Sequence, residues 1–336
     1  MGSTTLWTLE DRDTGQVIAS VRAEELEVEG FNLRLNLKPA PGRLRFVPTQ
    51  VGSVDVIASL DLEEYVRGVL PSEMPATWPL ETLKAQAIAA RTYALFRKQI
   101  REREQGKYDV ESTVMDQVFF APDLNDESEA RAQVDRALEE TRGVVLLDHA
   151  ARPFATYFHA DCGGHTEEPS QVWGTSERLG TARDEGCPSS PLAHWSLKLS
   201  SQEIAERLQP RKGLALADIQ IASRTPFGRV DSVKLRWNNG SSQILSSHLF
   251  RMAIGFDRLR STRFTIVRES GREAGLEGLA GRLIFKGLGH GHGVGLCQWG
   301  ARHLALKGKS YREILAHYYP RATLSDARSL AAQARP

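Results

Sequence analysis

The stretch from Asp61 to Phe96, DLEEYVRGVLPSEMPATWPLETLKAQAIAARTYALF, constrains this chain most, because its prolines and small apolar residues leave few conformations open. Leu62, Tyr65, Val66 and Val69 recur at helical spacing behind Asp61, a residue suited to the N-cap. Pro71 and Pro75 are expected to end that helix and to hold Glu73 on a stiff turn between them. Pro79 suits the first position of a longer second helix, along which Leu80, Leu83, Ala87, Ala90 and Ala94 recur. A carboxyl group on an elbow braced by proline and Trp78 is shielded from water. Shielding of that kind raises a carboxyl pKa and suits the group to general-acid work. A glutamate that only caps the second helix, or faces solvent, fits the same spacing.

Around this helix–elbow–helix core, short strands and helices mix without regular βα alternation, so the expected class is α+β with an N-terminal β-rich segment. LWTLED, QVIASVRA, FNLRLNL, LRFVPTQ and VDVIASL read as strands. GVVLL and ARPFATYFHA are expected to pair as a hairpin about Asp148 to Ala150. IQIASRT, RVDSVKLRW, SQILSS, RFTIVRE and RLIFKG read as further strands, with Asn238-Asn239-Gly240 as a hairpin turn. Helices are expected over Glu127 to Thr141, Ser200 to Leu208 and His248 to Ile254, and GREAGLEGLAG reads as a loop. The domain division expected is 1–55 as the β-rich segment, 56–322 as the main domain and 323–336 as a frayed tail.

The 336 residues carry a formal net charge of +1, which argues against bulk electrostatic binding of nucleic acid. No apolar run is long enough for a membrane span. MGSTTLWTLEDRDTG lacks the basic and apolar regions of a signal peptide, so a protein of the cell wall would have its export segment missing from this sequence. Three cysteines, Cys162, Cys187 and Cys297, are too few for a disulfide scaffold; one Cys162–Cys187 bridge is compatible with their shared loop-rich region.

GVLPSEMPATWPLETLKAQAIAARTYAL resembles the signature of the SpoIID/LytB family, the sporulation stage II protein D group. GLGHGHGVGLCQWGARHLALKGKSYREILAHYYP, from Gly287 to Pro320, agrees with it. YFHADCGGHTEEPSQVWG resembles the family's middle motif and FRMAIGFDRLRSTRF, more weakly, its FR…STxF segment, so the resemblance covers roughly residues 50 to 320. It implies a peptidoglycan lytic transglycosylase that cleaves the MurNAc–GlcNAc β-1,4 bond without water and leaves a 1,6-anhydro-MurNAc end. Glu73 would be the single acid. The resemblance also implies glycan strands already stripped of stem peptides, hence an amidase acting upstream, and an extracytoplasmic location. A glycan-binding amidase enhancer without catalysis, or a zinc-dependent wall hydrolase, are the other readings.

In GLGHGHGVGLCQWGA the glycines let backbone approach a ligand closely, and His292 matches the family's histidine, while Cys297 stands where the family commonly has serine. Gln298 and Trp299 suit sugar recognition, amide to hydroxyl and indole to pyranose face, though tryptophan is also a common core residue. Gln86, Arg91 and Tyr93 on the long helix, with Gly163 and Gly164, complete the expected substrate-binding set; a buried salt bridge would account equally for Arg91. His159, Cys162, His165 and Cys187 offer the imidazole and thiolate ligands that zinc prefers, with a disulfide or purely structural roles as the alternative. The reaction itself requires no cofactor. Glu73 and the loop from Gly289 to Gln298 are expected to meet in one cleft, with Gly163 and Gly164 as another wall.

Overall fold

A computed structural model describes residues 4–49, 52–113, 115–122, 126–186, 189–208, 214–268 and 282–328. The class is α+β. The chain divides into two compact units, Met1–Thr77 with Ala94–Arg142 and Trp78–Tyr93 with Gly143–Pro336. The boundary expected at residue 55 therefore does not separate units, because the β-rich segment shares a unit with the first helix.

In the first unit, β1 (Thr5–Glu10) and β2 (Val17–Ala23) form a hairpin. β3 (Leu26–Glu29), the short β4 (Arg34–Leu35) and β5 (Lys38–Pro39), β6 (Arg43–Pro48) and β7 (Val54–Ala58) follow, with β6 central in the antiparallel order β3-β6-β7. FNLRLNL does not make the expected strand. Asn32, Asn36 and Leu37 take φ of 54°, 50° and 67°, left-handed conformations that break an extended run and that asparagine tolerates best.

α1 (Leu62–Glu73) starts as expected, with Asp61 accepting from the Glu63 amide at 2.8 Å. It then runs through Pro71 instead of ending there. Proline's fixed φ is helical, so the cost at this point is one main-chain hydrogen bond near the helix end. Glu73 is thus the last helical residue and not part of a turn. α2 (Leu80–Arg103) follows, and its residues from Leu80 to Tyr93 count with the second unit. α3 (Glu129–Glu140), capped by Ser128, packs on α1, where Arg67 and Asp135 pair at 2.7 Å.

The second unit continues with β8 (Val144–Leu147), β9 (Phe158–His159), α4 (Pro169–Trp173), β10 (His194–Ser200), α5 (Ser201–Leu208) and β11 (Leu216–Arg224). β12 (Val230–Trp237), β13 (Ser242–Ser246), α6 (Ser247–Ile254), β14 (Phe264–Arg268) and β15 (Arg282–Leu288) come next. The unit closes with β16 (Leu296–Cys297), α7 (Gln298–Leu306), α8 (Tyr311–Tyr318) and β17 (Thr323–Asp326). Two antiparallel sheets, ordered β10-β15-β14 and β11-β12-β13, enclose a core that includes Trp195, Leu199, Phe250, Phe264 and Phe285. Each fully buried phenylalanine there contributes on the order of 2–3 kcal/mol. A second core gathers Ala85 and Ile88 of α2 with Leu146, Leu296, Ile314 and Tyr318.

The expected β8 hairpin is corrected by the pairing. Asp148 does make the turn, accepting from the Ala150 and Arg152 amides. Pro153 then supplies no amide to a ladder. β8 instead pairs antiparallel with β17, so Thr323–Asp326 is strand and not frayed tail. The expected loop GREAGLEGLAG and the last eight residues lie outside the described residues. No helix among the described residues is long and apolar enough to cross a membrane.

Candidate functional site

Glu73 ends α1 half-buried, and its Oε1 accepts a 2.8 Å hydrogen bond from the Val118 amide. The segment supplying that amide is itself held in place. Tyr65 donates to Oε1 of the buried Gln117 at 2.9 Å, and Phe119 stacks on Tyr65 with centroids 5.6 Å apart. The absent side chain of Gly68 makes room, since a Cβ there would lie 2.2 Å from the Phe119 ring. Burial, then the charges of Asp116 and Glu73, push the Tyr65 hydroxyl well above its usual range, so it stays a neutral donor. The result is a carboxyl group oriented by main chain and still partly open to solvent.

The middle motif and the glycine run are built against each other within the second unit. β9 and β16 pair in parallel, Phe158 opposite Leu296 and His159 opposite Cys297. Asp161 and His290 exchange main-chain bonds of 2.9 and 2.8 Å. The glycines serve this contact. A Cβ on Gly295, at φ +69°, would lie 2.0 Å from the Tyr157 carbonyl oxygen, and one on Gly293 would lie 2.1 Å from the Arg229 guanidinium. Their close approaches, expected toward a ligand, are therefore made to this chain's own backbone and to Arg229. His292 is committed as well: Nε2 lies 2.9 Å from the Phe158 carbonyl and Nδ1 accepts from the Val294 amide at 3.1 Å. Burial, then His159, holds its pKa well below the usual range. Only its ring remains for other contacts, packed 5.1 Å from Trp173 and 6.1 Å from Tyr157.

His159, Cys162 and Cys297 form a buried cluster, one ligand atom from each lying within 4.8 Å of the others. His159 Nδ1 lies 3.0 Å from the Val294 carbonyl, which can only accept, so the proton sits on Nδ1 and leaves the Nε2 lone pair bare. Nε2 is buried without a hydrogen-bond partner among the described residues. Burial, then Arg229, pulls the ring's pKa down to about 3. The sulfurs are flanked by amide donors: Cys297 Sγ accepts from Cys162 and Gly300 at 3.3 and 3.4 Å, and Cys162 Sγ accepts from Gly164 at 3.3 Å. A neutral imidazole with a bare lone pair beside two sulfurs fits a zinc ion. Of the expected set, His165 lies apart from the cluster: its Nδ1 is 2.7 Å from the Thr166 carbonyl and its ring stacks on Phe227 at 3.7 Å. Cys187 lies outside the described residues.

The long-helix candidates are interior. Arg91 is fully buried and donates to the Val144 carbonyl at 2.9 Å, which ties α2 to β8. Gln86 is also fully buried, and neither amide atom has a hydrogen-bond partner among the described residues. Tyr93, nearly buried, lies 6.1 Å from Tyr157. Gln298 is buried, whereas Trp299 is half-buried, edge-on to Trp78 at 5.0 Å, with the Arg302 guanidinium 5.2 Å over its ring. Gly163, at φ +72°, and Gly164, at φ +109°, turn the middle motif beside Leu288 and Arg263.

The model of the stage II sporulation protein family, SpoIID, matches residues 50–147, and that of a domain of unknown function matches residues 176–295. Stage II sporulation protein D of Bacillus amyloliquefaciens is 30% identical over 296 residues, covering 84% of this chain and 79% of that protein. The chain belongs to the SpoIID family. An uncharacterised protein of Brachyspira hyodysenteriae is 33% identical over 281 residues, 83% of this chain and 70% of its own length. The amidase enhancer of Bacillus subtilis is 27% identical, over 77% of this chain and 40% of its own length.

For this SpoIID chain, sequence reasoning placed His159 and Cys162 in one cluster but missed Cys297 as their companion. The signal available was the thiol at a position where the family commonly has serine. What hid it was distance along the chain, because only the parallel β9–β16 pairing brings residue 297 to residue 159. Val118, whose amide orients Glu73, was also missed, because no side-chain chemistry marks a residue that acts through its main chain.

Proposed function

We propose that this SpoIID-family protein acts on the bacterial cell wall as a peptidoglycan lytic transglycosylase, with Glu73 as its acid. The observation that carries the reading is the placement of Glu73: half-buried, at a helix end, with one oxygen held by the Val118 amide. Glu73 gives its proton to the glycosidic oxygen as the bond to C1 of MurNAc breaks. The carboxylate then takes the proton of the MurNAc 6-hydroxyl as that oxygen bonds to C1. One carboxyl group suffices because the sugar attacks itself, whereas hydrolytic glycosidases use a second carboxylate. The favoured substrate is peptide-stripped glycan, so an amidase acts upstream and the protein works outside the cytoplasm.

Trp299, partly open and braced by Trp78 and Arg302, suits stacking on a sugar face. His159, Cys162 and Cys297 would hold a zinc ion, which would supply a structural cross-link between β9, the middle motif and β16. All three side chains are buried, which favours that role over hydrolysis. The decisive measurement is mass spectrometry of products from peptide-stripped glycan, comparing the protein with Glu73→Gln. Anhydro ends from the first and none from the second are expected. The likeness to the amidase enhancer favours one alternative, a glycan binder that stimulates an amidase. Amidase stimulation with no anhydro ends from the unaltered protein would select it.

A further inference from the structure

The second unit carries a groove of about 810 Å³ that the reaction above does not use. Its base is formed by β10, β14 and β15, where the buried rings of Trp195 and Phe264 lie with centroids 6.4 Å apart. Gly287 is required there, since a Cβ would fall 2.1 Å from the Trp195 indole. Four basic side chains line the groove, His194, Arg224, Arg263 and Lys286, and no acidic side chain among the described residues does. In a chain of net charge +1 this is a local concentration of positive charge.

The basic groups differ in how they are held. Arg224 donates to the Gly228 and Phe264 carbonyls at 2.8 and 3.0 Å, which fixes one wall. The Nη1 of Arg263 is buried with no hydrogen-bond partner among the described residues. It lies 3.7 Å from where a Cβ of Gly164 would stand, and the Leu288 backbone lies 3.1 Å from the corresponding point on Gly163. The groove therefore abuts the glycines of the middle motif. Lys286 is exposed on β15, and its ammonium has no ion pair among the described residues.

We infer that this groove binds the lactyl carboxylates of peptide-stripped glycan strands. The inference rests on the peptidoglycan reading and adds a substrate-selecting site to it. In intact peptidoglycan each lactyl carboxyl group is tied up as an amide to the stem peptide. Removing the peptide frees a carboxylate on every MurNAc, so stripping gives a glycan backbone that had no charged group of its own a periodic row of anions fixed to its sugars. Guanidinium and ammonium groups on a groove with an aromatic base suit an acidic sugar chain, and they recognise the stripped strand by the group that amidase action exposes.

The test uses the full chain carrying Glu73→Gln, so that strands are not consumed, and measures binding of two probes. One is peptide-stripped glycan; the other is the same material with its carboxylates converted to primary amides. Amidation is expected to weaken binding about tenfold or more, the loss of a charge-assisted hydrogen bond. Lys286→Gln, at an exposed position, is expected to weaken binding of the acidic strands alone, and Lys286→Arg to restore it. Arg263→Gln should act in the same direction. Equal binding of the two probes, or acidic-strand binding indifferent to both substitutions, overturns the inference. So does binding of inorganic polyphosphate without binding of the acidic glycan. Charge-dependent glycan binding with no anhydro products from the unaltered protein would retain the groove and remove the transglycosylase. Anhydro products with no charge dependence would do the reverse.

Discussion

Glu73 and Cys162 sit in two differently built regions. The carboxyl group is placed by neighbouring elements of one unit, the end of α1 and the segment at Val118, and it keeps a share of solvent exposure. Cys162 is placed by strands whose residues are 135 positions apart, and it has none. A group that must meet a polymer needs an open side, so orientation from behind by a main-chain amide serves it. A sulfur that holds loops together gains from exclusion of water, which also makes any misplaced atom there costly. The difference separates a region that can be altered chemically without loss of fold from one that cannot.

The largest effect expected is on the first region. Glu73→Gln keeps an oxygen for the Val118 amide but has no acidic proton, so cleavage should fall by roughly 10³-fold with an unchanged melting temperature. Near-normal anhydro product from that variant would end the assignment. In the second region it is the stability of the fold that should fall. Gly295→Ala drives a methyl group into the Tyr157 carbonyl at a left-handed φ, and a loss of about 3 kcal/mol or more is expected in denaturant titrations. Gly308→Ala has the same backbone hand but open space around it, so it should cost only about 1–2 kcal/mol. Equal losses would erase the distinction drawn here.

A metal bound in the second region would set it further apart from the first. Protein purified without chelator should carry about one zinc per chain by elemental analysis, and chelation or Cys297→Ser should lower its melting temperature by several degrees. Metal-free protein whose melting point is unmoved by Cys297→Ser would rule the centre out. His292→Ala removes two internal hydrogen bonds, so about 2 kcal/mol of stability should go while cleavage falls far less than in Glu73→Gln.

The smallest effect concerns His248. Burial, then Arg251, holds its pKa below the ordinary histidine value, so the folded protein favours the neutral ring. That contribution is complete above about pH 6.5, the unfolded value, and is lost as the pH falls below it. His248→Gln should therefore flatten part of the decline in melting temperature between about pH 7.5 and pH 5. A slope identical to that of the unaltered protein would remove His248 from the account.

Short-range features were legible in the residues alone. Asp61 caps its helix, Asn238-Asn239-Gly240 turns a hairpin, and apolar spacing marks α2, because capping, turn geometry and helical period depend on neighbours in the chain. The SpoIID resemblance was carried by contiguous motifs for the same reason. Only the tertiary structure decided that helix α1 continues through Pro71, that β8 takes β17 as its partner, and that Cys297 joins His159 and Cys162. Gly293 and Gly295 looked like places for a ligand to approach, and the packed chain fills those places with Arg229 and the Tyr157 carbonyl. A glycine announces that something comes close, but what comes close is chosen by the packing of segments distant along the chain.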